Sequence, residues 1–201
     1  VLGEDLPAVP DTYKDSRNVF LANTHPSGQI GLLEQFPKPR LAVADTMDLW
    51  INTARDELAT LLSKIHGLVL NDQEAALLTG DSNMVSASHK IVEMGPKFVV
   101  IKKGEHGCLL NYEGSMGVMH AYPALRVVDP TGAGDSFAAG MMGYLANCDE
   151  LNERTIRRAL AYGTIVASFT IEAFSLQRLT EISRHDIDQR LDEYADCVRF
   201  D

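Results

Sequence analysis

An aspartate follows three small residues at the start of a helical pattern in DPTGAGDSFAAG, residues 129–140. Downstream, Phe137, Met141, Tyr144 and Leu145 recur at helical spacing on one face, so a helix opens inside this stretch. Gly132, Ala133 and Gly134 leave its first turn uncrowded. Backbone N–H groups there lack intrahelical partners, and the helix dipole favours an anion. With Asp135 beside them, the turn suits a reaction that holds an anion next to a carboxylate. The competing structural reading is a glycine-rich helix cap in which Asp135 is only a stabilising first-turn acid.

Two further constellations can carry chemistry. NDQE, Asn71 to Glu74, directly follows an apolar strand pattern. Asn71 and Glu74 have the spacing of a capping box. An amide and a carboxylate three apart on one helix face also suit water-coordinated Mg²⁺ beside phosphates, because Mg²⁺ keeps several waters and needs few protein ligands. IKKGEHG, residues 101–107, ends a strand with two lysines and turns through two glycines. This is either a plain hairpin entry or a place where Lys102 or Lys103 neutralises phosphate while Gly104 admits an adenine or ribose closely. His106 reads as a solvated turn residue, Asp48 as a helix N-cap and Trp50 as core.

These residues need a frame to bring them together. NVFLA (18–22), LAVAD (41–45), GLVLN (67–71) and KFVVIK (97–102) read as buried strands. Amphipathic segments near 28–36, 49–65, 72–79 and 84–94 alternate with them. That alternation predicts βαβ units and a parallel sheet covered by helices on both faces. GCLLNY (107–112) and GVMHAY (117–122) read as a hairpin appended to the sheet edge, RVV (126–128) as a last short strand, and 134–147, 152–169 and 184–197 as helices. Ligands gather at the carboxyl ends of parallel strands. Asn23, Asp45, Asn71 with Glu74, Lys102 to Gly104, and Asp129 to Asp135 all follow strands, which points to a phosphate-handling rim.

Composition narrows the classes. The chain has 201 residues, 45% apolar and 23% charged, as suits one compact globular domain over 1–201. Its formal net charge is −10 and its basic residues form no patch, so nucleic acid is not an expected partner. No apolar run reaches membrane-span length, and no signal peptide is legible. Cys108, Cys148 and Cys197 are odd in number and widely spaced, which reads as free thiols in a reducing compartment, with the cytoplasm as default. P-loop, dinucleotide-fingerprint, zincin, nucleophile-elbow and protein-kinase motifs are missing from the sequence.

Asp129-Pro130-Thr131-Gly132-Ala133-Gly134-Asp135 resembles the D-T-x-G-A-G-D signature of the PfkB, or ribokinase-like, carbohydrate kinases. NDQE resembles that family's N-x-x-E metal motif, and KKGEHG its G-x-x-G nucleotide loop; the resemblance runs from about residue 18 to 176. DTMDLWI and ASFTIEAFSLQRL are similar to a bacterial and archaeal subgroup often labelled only as sugar kinases.

The resemblance implies a three-layer α/β/α ribokinase-like fold and ATP-dependent phosphorylation of a small carbohydrate hydroxyl, with a nucleoside as the alternative acceptor. It implies Asp135 as catalytic base and the N–H groups of Gly132, Ala133 and Gly134 as anion hole. Glu74 and Asn71 would orient Mg²⁺. Lys102, Gly104 and Gly107 would line the nucleotide, with the segment from Tyr162 to Thr164 closing over the adenine. Asp129, Thr131 and the 173–175 loop match the family's place for a monovalent cation such as K⁺. A homodimer is a further implication.

Three departures accompany the resemblance. Pro130 stands where Thr is usual and lacks an N–H, and Asp48 stands where the subgroup shows Asn. The family's N-terminal acceptor-binding and lid portion has no counterpart before residue 18, so the expectation is a nucleotide-binding portion without that half. The rivals are a nucleotide-binding remnant without transfer activity, and a regulatory domain whose glycines only cap a helix.

Overall fold

The computed structural model describes residues 7–199. The chain divides into two compact units, residues 1–103 with 109–117 and residues 104–108 with 118–201.

In the first unit, β1 (Asn18–Leu21), β2 (Leu41–Asp45), β3 (Gly67–Asn71) and β4 (Phe98–Lys102) lie side by side in chain order, all parallel. They are connected through α1 (Pro26–Leu33), α2 (Asp48–Thr53), α3 (Arg55–Leu62), α4 (Asp72–Thr79) and α5 (Met84–Glu93). β5 (Cys108–Tyr112) and β6 (Ser115–Met119) complete a six-stranded sheet. The central strands β2, β3 and β4 are apolar up to their last residues because both of their faces are buried. Ala42, Ala44, Leu68, Leu70, Val99 and Ile101 pack with Leu58, Leu61, Leu62 and Ile91, while Val43, Val69 and Val100, pointing the other way, are equally buried. Each fully buried Leu or Ile contributes about 1.5–3 kcal/mol relative to exposure.

In the second unit, α6 (Ala133–Ala146) packs along α7 (Glu153–Thr170), followed by α8 (Gln177–Glu181) and α9 (Arg184–Cys197). The helices approach so closely that a Cβ on Gly140 would lie 2.8 Å from Val166 and one on Gly163 2.7 Å from the Phe137 carbonyl. That contact requires Gly140 in α6 and Gly163 in α7. Ile165, Phe169 and Tyr194 form a second cluster with Tyr122, Leu179 and Leu191. Among the described residues, no helix is long and apolar enough to cross a membrane.

Four elements differ from the sequence expectations. RVV (126–128) forms no strand: Val127 and Val128 are exposed, and the Val128 N–H donates to the Ile171 carbonyl at 2.7 Å. The amphipathic segment near 49–65 is divided at Ala54 (φ −137°, ψ 44°) into α2 and α3. The hairpin turn is shorter than expected, Glu113-Gly114 in place of 113–116, because both residues adopt the positive φ (48° and 93°) that a two-residue turn requires. The short helix α8 was not anticipated.

His66, just before β3, shows how the fold selects a protonation state. Its Nδ1 accepts the Ala42 N–H at 3.0 Å, which requires that nitrogen to be unprotonated. Burial, helped by Lys97, lowers its pKa from the ordinary 6.5. The unfolded chain therefore binds a proton in a pH range where the folded chain does not. The His66 contribution is fully present above about pH 6.5 and is lost as pH falls towards the lower, folded value. Thermal unfolding followed across that range should show the loss. His66→Asn, whose side-chain oxygen can still accept the Ala42 N–H, should flatten it.

Candidate active site

The ends of β2, β3 and β4 form the rim that the sequence suggested. Asp45 pairs with Val69 across β2 and β3, and Asn71 with Lys102 across β3 and β4, so each strand delivers a polar residue to the same edge. At β3 the chain enters α4 through a complete capping box. Asn71 Oδ1 accepts the Glu74 N–H at 2.8 Å, and Glu74 Oε2 accepts the Asn71 N–H at 2.7 Å. The box points the half-buried Glu74 carboxylate along the rim side of α4. Burial pushes the Glu74 carboxyl pKa up; the Asn71 N–H and the Lys102 charge oppose this, and Asp48 adds to it.

A carboxylate short of water, with one cation in its field, fits a divalent ion, which would favour its charged form. Among the described residues, no three His, Cys, Asp or Glu side chains converge as a metal cage. A single carboxylate with amide support suits Mg²⁺, which keeps its own waters.

The neighbouring corner differs from expectation. Met47, not Asp48, occupies the N-cap of α2; Asp48 is the first helical residue, and its Oδ1 accepts the Leu49 N–H at 2.8 Å. Trp50, expected in the core, is only partly buried, and its Nε1 donates to Asn23 Oδ1 at 2.9 Å.

In the second unit, Gly132 takes φ +79°, the left-handed conformation that glycine adopts at least cost, and opens α6. Asp135 follows in the first turn with an exposed side chain. The Ala133 N–H, expected in the anion hole, already donates to the Pro130 carbonyl at 3.1 Å.

Asp129 stabilises the approach to this turn. Its Oδ1 accepts the Thr131 N–H at 3.0 Å, and the Thr131 side chain and the Ser175 N–H also bond to the carboxylate. Those hydrogen bonds, the Thr131 N–H first, lower its pKa. The expected cation ligand thus ties the 129–131 turn to the 173–175 loop, where Ser175 holds φ +56°.

The two turn glycines separate in role. A Cβ at Gly104 would meet nothing within 4 Å, so this position is open to a ligand. One at Gly107 would lie 2.0 Å from the Met119 carbonyl, and the residue holds φ +82°, so packing and backbone conformation both call for glycine there.

Tyr162 departs from its expected place over an adenine. Its ring stacks on Tyr144 at 4.7 Å and carries Arg184 4.9 Å from its centroid, and its hydroxyl donates to Asp188 at 3.0 Å. Only 8% of its surface remains exposed, too little to hold a base. Sequence reasoning missed Gln29, in α1, and Thr46, just after β2, both buried polar residues. Nothing in the local pattern marks either as buried.

Residues 42–182 match the model of the pfkB family carbohydrate kinases. The chain is 32% identical to the cytidine kinase of Thermococcus kodakarensis over 162 residues, which cover 76% of this chain and 58% of that protein. It is similar in fold to the Vibrio cholerae fructokinase solved with fructose, ADP and potassium (TM-score 0.73, 18% identity, covering 92% of this chain and 62% of that one). The same holds for the nucleoside kinase of Methanocaldococcus jannaschii (TM-score 0.72, 19% identity, 88% and 56%). The chain therefore spans a little over half the length of these relatives. A match over 42–182 takes in the rim, the glycine turn and the α6 signature together, and on that basis the chain belongs to the PfkB family of carbohydrate kinases.

Proposed function

We propose that the protein transfers the γ-phosphoryl group of ATP to a hydroxyl of a small carbohydrate. One observation carries the reading: Gly132, in left-handed conformation, opens the 14-residue helix α6 with Asp135 in its first turn. Asp135 takes the proton of the attacking hydroxyl as that oxygen bonds to the γ-phosphorus. The bond from phosphorus to the bridging oxygen breaks, and ADP leaves. The N–H groups of Gly132 and Gly134, with the positive end of α6, offset the charge on the phosphoryl oxygens. Phosphoryl transfer asks a protein mainly for such positioning and electrostatic stabilisation. Lys102 neutralises nucleotide phosphate, and Gly104 leaves space for the nucleoside.

Glu74 and Asn71 are the residues that would hold Mg²⁺, which supplies charge neutralisation of the phosphates when bound. Asp129 and Thr131 belong to the 129–131 turn, beside which we place a monovalent cation. A nucleoside acceptor is the second reading, favoured by the 32% identity to a cytidine kinase.

The test follows ATP–Mg²⁺ binding by calorimetry and product by mass, over a panel of sugars and nucleosides. Saturable nucleotide binding with a phosphorylated product is the expected result; no nucleotide binding refutes the proposal. Glu74→Gln refines it. Glutamine still accepts the Asn71 N–H and preserves the capping box, so melting should be nearly unchanged while the Mg²⁺ required for half-maximal transfer rises. An unchanged Mg²⁺ requirement would leave Glu74 a cap and nothing more.

A further inference from the structure

In the second unit, a cavity of about 160 Å³ lies where the end of α7 meets α8 and α9. Phe169 lines it from α7, Arg178 from α8, and Asp186, Gln189, Arg190 and Glu193 from one face of α9. Arg190 is held firmly there. Its side chain is 14% exposed, its guanidinium lies 3.4 Å from the Phe169 ring centroid, and its Nη1 reaches Glu172 Oε1 at 2.8 Å and Ser168 Oγ at 3.0 Å. Those polar contacts use one nitrogen and leave Nε and Nη2 uncommitted among the described residues. Arg178 meets the other Glu172 oxygen through Nε at 3.3 Å and Glu181 through Nη1 at 3.4 Å, which leaves its Nη2. One carboxylate, Glu172, thus fixes two guanidiniums side by side.

Opposite charges line the same cavity. The Ser183 N–H and hydroxyl donate to Asp186 Oδ2 at 2.7 and 2.6 Å; they hold its pKa below the ordinary value and leave Oδ1. Glu193 Oε1 accepts the Gln189 amide at 3.1 Å, which leaves Oε2. Along α9, Asp186, Arg190 and Glu193 follow at the i, i+4 and i, i+3 spacings that make acid, base and acid neighbours on one face. A partly buried guanidinium gains from each N–H that finds an anionic acceptor, because charge-assisted hydrogen bonds are the strong ones.

We propose that this cavity binds a small α-amino acid as its zwitterion. The ligand carboxylate accepts from Arg178 Nη2 and from the uncommitted N–H groups of Arg190. Its ammonium donates to Glu193 Oε2, in the field of Asp186. Charge and volume together select this class. Two lining cations and two lining anions favour a ligand that carries one charge of each sign; inorganic phosphate would meet the carboxylates, and a metal ion the guanidiniums. An apolar guest would leave both walls unsatisfied. A cavity of ~150 Å³ takes benzene, so glycine, alanine and serine have the size that fits. None of these residues is assigned to nucleotide, metal or phosphoryl group, so the binding does not depend on the kinase reading.

The full chain, isotope-labelled, is titrated with L-alanine and L-serine and followed through its amide NMR shifts. Saturable shifts centred on α8 and α9 are expected. Propionate lacks the ammonium and ethylamine the carboxylate, so each should bind about tenfold more weakly than alanine, the worth of one lost charged hydrogen bond. Glu193→Gln removes a charge at an exposed position and keeps an oxygen for Gln189. It should leave melting unchanged and raise the alanine midpoint about tenfold. Arg178→Gln should raise it similarly, with the NMR spectrum checking that the fold survives loss of the pair with Glu172. No saturable shift with either amino acid, equal affinity for propionate, or an unchanged midpoint in Glu193→Gln would overturn the site. A response to inorganic phosphate as strong as that to alanine would make it a plain anion site and overturn the proposal equally.

Discussion

Asp135→Asn should lower phosphoryl transfer by ~10²–10⁴ while leaving ATP affinity nearly unchanged, the range expected for a lost general base. The substitution is nearly isosteric and lies on the exposed side of the first turn of α6. Its structural consequence is therefore small. An acid in a first helical turn contributes ~0.3–1 kcal/mol through the dipole. The two readings of DPTGAGD thus separate on one variant. A helix cap predicts a slight loss of melting temperature and full turnover; a proton acceptor predicts a large loss of kcat with little change in melting. Steady-state kinetics beside a thermal melt decides, and near-normal kcat would remove Asp135 from the mechanism.

Gly107→Ala should destabilise the second unit by about 2–5 kcal/mol. Two costs combine. Gly107 sits at φ +82°, where an L-residue loses ~1–2 kcal/mol, and its new Cβ would lie 2.0 Å from the Met119 carbonyl. Overpacking against fixed backbone adds ~1–3 kcal/mol. Gly104→Ala is the internal control, because φ +56° imposes the first cost and open space spares it the second. Chemical denaturation should rank Gly107→Ala well below Gly104→Ala in stability, whereas nucleotide titration should show any loss of affinity in Gly104→Ala. Equal stability of the two variants would contradict the close approach of the 107 turn to the 119–121 backbone.

Much of the architecture was legible because it is written locally. The four strands of the parallel sheet are short apolar runs bounded by polar residues, and their ends, from Asp45 to Lys102, fall on one rim because parallel strands share a direction. The Asn71–Glu74 box and the Gly132–Asp135 turn are equally local, since their partners lie within four residues. Tertiary structure decided the rest wherever a residue's role depends on neighbours distant in sequence. Tyr162 is claimed by Arg184 and Asp188, Gly107 by the Met119 backbone, and Val128 by the Ile171 carbonyl in place of a strand partner. The clearest case is Gln29, an ordinary polar residue in a weakly patterned helix until β2 arrives 16 residues later. Only then is its amide closed over by three carbonyls, because hydrogen bonds among buried groups are fixed by which chains meet, and sequence periodicity records only which side of an element faces inward.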